Sequence, residues 1–186
     1  MKHVIHLIAL TQIVLLAGCG NEPATTRIDG PRPSAARATK GLGPDVEKDL
    51  ATLRQITAAF HDSATAASAG WNAQITPCMT SGQGSMGYHF GNPALIGDGT
   101  VRVDQPELLL YEPEKNGQMR LVAVEYILPG APTDQPPSLF GREFTYNSAF
   151  GVWGLHAWVW KENPSGMFAD WNPDVTCAYA AQTLTM

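Results

Sequence analysis

Positive charge is scarce in most of this 186-residue sequence. From residue 45 onward there are 7 lysines and arginines against 15 aspartates and glutamates, a net charge near −8. Such a surface repels phosphate backbones and argues against nucleic acid as a partner. Cysteine is scarce too: three residues, no CxxC pair, and only His61, His89 and His156 beyond the first twenty positions. That composition excludes zinc fingers and ribbons, which need paired cysteines or histidines at short spacing. Only one long apolar run exists, Val4 to Ala17, too short and too early for a membrane-spanning helix. Residues 20–44 contain no aromatic residue. No G-x-S-x-G elbow and no internal repeat occurs.

What is present begins with "MKHVIHLIALTQIVLLAGC": a basic start at Lys2, the apolar run, then small residues and a cysteine. This is the layout of an export signal. Its end, "LLAGC", resembles the lipobox of bacterial lipoproteins. The resemblance implies cleavage before Cys19, a signal peptide over residues 1–18, and diacylation of the Cys19 thiol. Gly20 rather than Asp at the next position implies release to the outer membrane in a Gram-negative cell. Several acyl chains together give stable anchoring, at roughly 0.8 kcal/mol per buried methylene. Residues 19–44, rich in Pro, Gly, Ala and Thr, read as a flexible tether.

Residues 45–186 suit one domain of α+β class. Val46, Leu50, Leu53, Ile56 and Phe60 recur at three- and four-residue steps, which predicts one helix from Asp45 to about Ala67, ended by Gly70. Four strands are predicted at 86–90, 106–113, 120–129 and 151–161, with Asn116-Gly117 as a hairpin turn. The expected architecture is that helix packed on an antiparallel β meander, roll-like. A small β-sandwich or barrel with one helix is the alternative.

Gly82, Gly84 and Gly87 spell G-x-G-x-x-G, the dinucleotide fingerprint. The motif needs a helix after it, and "MGYHFGNP" follows instead. The glycines are therefore expected to turn the chain into a strand. In an oxidising compartment Cys78 and Cys177 read best as a disulfide, with a Cys/His metal site as the rival.

Three ionisable residues fall mid-strand among apolar neighbours: His89 in "GYHFG", Glu125 in "VAVEYIL" and His156 in "GLHAWVW". Alternation puts Glu125 on a face with Leu121, Ala123 and Ile127, and His156 on one with Trp158 and Trp160. His89 shares its face with Gly87 and Gly91, which suggests open space around it. Two imidazoles and a carboxylate suit Zn, Cu, Fe or Mn, provided the strands bring these faces together. Tyr111 and Trp158 are expected to wall a ligand pocket. Asp170 and Asp174 in the turn-rich stretch 163–177 are weaker candidates for calcium, and His61-Asp62 reads as a surface pair.

The segments "MGYHFGNPAL", "PELLLYEP", "LVAVEYILPG", "GLHAWVWKENPSGMFADWNP" and the closing Cys177 together resemble an uncharacterised family of secreted bacterial proteins. That resemblance implies secretion and a domain boundary, and no catalytic residues. The expected function is an envelope-anchored lipoprotein whose domain binds a metal or small ligand. A structural or protein-interaction lipoprotein and a metal-dependent enzyme are the alternatives.

Overall fold

Helix α1 (Pro44–Thr57) opens with Pro44 at its first turn and Asp45 and Glu47 beside the positive end of its dipole. Its apolar stripe buries Leu50 and Leu53 completely. The structure, a computed structural model, describes residues 41–180. Cys19, the signal segment and the tether up to residue 40 lie outside the described residues. Among the described residues no helix is long and apolar enough to cross a membrane.

The predicted single helix is broken. A 3-10 turn (Ala58–His61) follows α1, and a second helix, α2 (Ser63–Ser68), starts at Asp62. Asp62 is extended and its carboxylate accepts from the Ala64 amide and the Thr65 hydroxyl, so it caps a new helix. The Phe60 carbonyl is turned aside to accept the Tyr111 hydroxyl at 2.6 Å. His61 meets the Trp160 ring edge-on at 4.3 Å. Gly70, at φ 115°, ends the helical region as expected.

Below the helices lies a six-stranded antiparallel sheet. Its strands are β1 (Ala73–Ser81), β2 (Gly84–Gly91), β3 (Leu108–Pro113), β4 (Met119–Pro129), β7 (Thr145–Asn147) and β8 (Val152–Ala157). A short helix, α3 (Pro93–Ile96), and a separate hairpin of β5 (Ser138–Leu139) and β6 (Arg142–Glu143) complete the set. The order β1-β2-β3-β4-β8-β7 is a meander as far as β4, after which β8 takes the inner place. The expected α+β class, a helix over an antiparallel sheet, is what the chain forms.

The G-x-G-x-x-G glycines belong to the β1–β2 hairpin. Gly84, at φ 128°, and Gly87, at φ 89°, adopt backbone that L side chains avoid. A Cβ at Gly84 would lie 2.4 Å from the Asn172 backbone, and one at Gly87 2.4 Å from the Tyr111 carbonyl. Both positions admit another stretch of chain rather than a phosphate. At Gly84 the stretch is the C-terminal one, since Ser85 and Asn172 exchange backbone hydrogen bonds at 3.0 and 3.1 Å.

That C-terminal segment is fastened at several points. Cys78 and Cys177 form a disulfide. Glu112 takes Lys161 Nζ at 2.7 Å on one oxygen and the Thr176 amide at 2.9 Å on the other. The Trp158 indole donates to the Ala169 carbonyl at 2.6 Å. Strand β8 is shorter than predicted because the chain turns at Trp158, where the amides of Trp160 and Lys161 both reach the Val122 carbonyl.

Candidate metal centre

His89, Glu125 and His156 come from β2, β4 and β8, and the sheet brings them together on one face. Glu125 pairs directly with His156 across the β4–β8 ladder. His89 pairs with Leu110 of β3, and Leu110 with Ala123 of β4, two residues before Glu125 and on its face. His89 thus reaches Glu125 diagonally across β3. Gly154 makes room on the other side: a Cβ there would lie 2.9 Å from a Glu125 oxygen.

Both imidazoles are buried, at 4 % exposure each. Their Nε2 atoms face the same Glu125 oxygen, at 3.4 Å from His89 and 3.8 Å from His156. One donor atom from each residue lies within 4.8 Å of the other two. An ion bound at about 2.0–2.1 Å from each would draw such atoms to roughly 3.4 Å apart, the separation already present between His89 Nε2 and Glu125. The opposite nitrogens face outward. His89 Nδ1 is 2.8 Å from the Thr76 hydroxyl, and His156 Nδ1 is 3.6 Å from an Asp170 oxygen. Neither ring nitrogen of His156 makes a hydrogen bond. A buried polar group left in that state costs about 1–3 kcal/mol, so this side chain is built for a partner.

Charge is distributed unevenly over the trio. Burial, assisted by His156, pushes His89 down to about 3, so it is a neutral donor. Burial opposes protonation of His156, but Glu125 and Asp170 outweigh it and raise that imidazole. Burial raises the Glu125 carboxyl, with His156 pulling against the rise and Asp170 adding to it. The His156 imidazole facing it in turn holds Asp170 below the usual carboxylate range.

The remaining site expectations fare differently. Trp158 lies just past β8, its ring nearly parallel to that of His156 with centroids 6.2 Å apart. Tyr111 is not beside the trio. It opposes Tyr88 and packs against Phe90, both of the opposite parity to His89, and so lies on the helix side of the sheet. There it lines a separate cavity of about 320 Å³ with Trp71, Phe90 and Met119. Trp160 leaves the His156 face as well, its indole donating to Thr57 on α1. A register shift sets Leu121 opposite Tyr111, so Leu121 parts from Glu125. The open space expected beside His89 is filled, at Gly91 by Ile75 and Ile96 and at Gly87 by the Tyr111 carbonyl.

Asp170 and Asp174 do not form a calcium cluster. Asp170 faces His156, while the Asp174 amide is tied to Asn172. The sequence reading missed Thr76 and Gly154 and misassigned Asp170. Only the position of Thr76, two residues before Cys78, hinted at its place beside the C-terminal segment.

A cleft of about 560 Å³ reaches this corner, lined by Arg142, Thr145, Gly154, Met167, Phe168 and Asp170 among others. It meets the site at Gly154 and Asp170. No protein family, no curated protein and no solved structure matches this chain.

Proposed function

We propose that this chain is a bacterial envelope lipoprotein, acylated on Cys19, whose domain binds one divalent transition-metal ion through His89, Glu125 and His156. The observation that carries the metal reading is the convergence of two buried imidazoles on one carboxylate, with no hydrogen bond to either nitrogen of His156: the nearest carboxylate oxygens, of Glu125 and Asp170, stand 3.8 and 3.6 Å away. A structural His–Glu pair satisfied by its own hydrogen bonds would close those distances. Two imidazole nitrogens and one carboxylate form a ligand set used for zinc, and also for iron, manganese or copper, with coordination positions left open. Anchoring rests on the lipobox resemblance alone, and Cys19→Ser is expected to move the protein from the membrane fraction to the soluble one.

The test uses the full chain with its disulfide formed. Its zinc, copper, iron and manganese content is measured as isolated, and zinc is then titrated into the metal-free protein by calorimetry. One-to-one binding that His89→Ala/His156→Ala abolishes is the expected result. Binding no tighter than that of the double variant would overturn the metal reading and leave an interaction lipoprotein.

The adjoining cleft favours a second reading, a hydrolase using metal-activated water. In it Glu125 is either a ligand or the general base. If it is only the base, Glu125→Gln keeps metal binding and loses turnover.

A further inference from the structure

We infer that Thr76 and Asp170 are positioning residues for this centre, each holding one imidazole by its Nδ1 so that its Nε2 is presented to the ion. This rests on the reading of His89, Glu125 and His156 as a metal site. The two rings have the same polarity: Nε2 of each turns inward to one Glu125 oxygen, and Nδ1 of each turns outward. A neutral imidazole offers a lone pair at one nitrogen only while its proton sits on the other. A proton on Nδ1 needs an acceptor. The Thr76 hydroxyl provides it for His89 at 2.8 Å, inside the protein. The Asp170 carboxylate faces His156 Nδ1 at 3.6 Å, from a half-exposed position that leaves it free to close the remaining gap.

Neither residue belongs to the strands that carry the ligands. Thr76 lies on β1 opposite His89, and Asp170 lies in the C-terminal segment. Nor is Asp170 among the residues whose donor atoms cluster, so it acts through His156. The two acceptors differ in kind. The carboxylate raises the basicity of its imidazole, while the hydroxyl fixes only direction. Outer partners of this sort change metal affinity by about 10- to 100-fold.

The test measures zinc affinity by competition calorimetry and records the visible absorption of the cobalt(II)-loaded full chain. Thr76→Val and Asp170→Ala are each expected to bind zinc about 10- to 100-fold more weakly and to shift the cobalt bands. The metal-free variants should still unfold cooperatively, Thr76→Val at a lower temperature because it leaves His89 Nδ1 buried without its partner. Thr76→Ser should restore wild-type affinity, and Asp170→Asn should fall between, since its amide oxygen still accepts. Wild-type affinity and spectra in both Thr76→Val and Asp170→Ala would overturn the positioning roles while leaving the metal site standing. An Asp170→Ala defect as complete as that of His156→Ala, with a cobalt spectrum that has lost a ligand, would make Asp170 a ligand and overturn its role here. No zinc binding by the wild type would overturn the site reading itself.

Discussion

Glu107 shows what burial does to a single carboxyl outside the candidate centre. It is 1 % exposed, and one oxygen accepts the Ile127 amide at 3.1 Å where β3 has not yet begun. Burial, only partly offset by backbone hydrogen bonds, pushes it up from 4.5 to about 7. A group whose pKa rises on folding contributes stability that is fully present below its unfolded value and lost as pH climbs through the folded one. The window therefore runs from about 4.5 to about 7, and its depth is on the order of 3 kcal/mol. Glu107→Gln keeps an oxygen for Ile127 and removes the titration. Denaturant unfolding from pH 4 to 8 should find the variant more stable than the wild type above pH 7 and level with it at the acid end. At this scale the sequence was informative where an ionisable residue interrupts an apolar run, as His89, Glu125 and His156 do. It does not reveal the roles of Thr76 and Asp170, the second of which reads as a calcium candidate, because their placement depends on which distant segment docks beside them.

Elements were legible as far as local periodicity governs them. The stripe of α1 and the Asn116-Gly117 turn, with Gly117 at φ 82°, follow from local chemistry. The break at Asp62 and the early end of β8 do not. Each is decided by a long-range hydrogen bond, from Tyr111 to Phe60 in one case and from Trp160 and Lys161 to Val122 in the other. Strand β1 is not legible in the sequence because Pro77 and scattered polar residues blur its alternation, as befits an edge strand. Helix α1 is held chiefly by Leu50 and Leu53, both fully buried. Leu53→Ala is expected to cost about 2–5 kcal/mol in denaturant unfolding. Metal affinity of the fraction still folded should be unchanged, since α1 lies on the other side of the sheet from the trio.

For the whole molecule, the sequence could suggest a helix over an antiparallel meander but not the exchange of β7 and β8. That exchange puts His156 beside Glu125; with β7 next to β4 instead, the ladder pairing Glu125 with His156 would not exist. The disulfide spans a separation of 99 residues, for which loop-closure entropy gives at most about 4–5 kcal/mol. Cys78→Ser/Cys177→Ser should lower the melting temperature. A metal that binds only the folded chain stabilises it by about 2.7 kcal/mol at a concentration 100 times its dissociation constant. Zinc is therefore expected to raise the melting temperature of the wild type and not that of His89→Ala/His156→Ala.

Fastening Asn172 to Ser85, Thr176 to Glu112 and Cys177 to Cys78 has a consequence for when the centre comes into being. Its five groups, Thr76, His89, Glu125, His156 and Asp170, are strung over half the chain and meet only after the last of them has been synthesised and docked. A nascent or threading chain offers isolated imidazoles and carboxylates and no preformed cage. If the trio holds a metal as proposed, loading waits for the finished fold, and the metal supply where folding ends selects the ion.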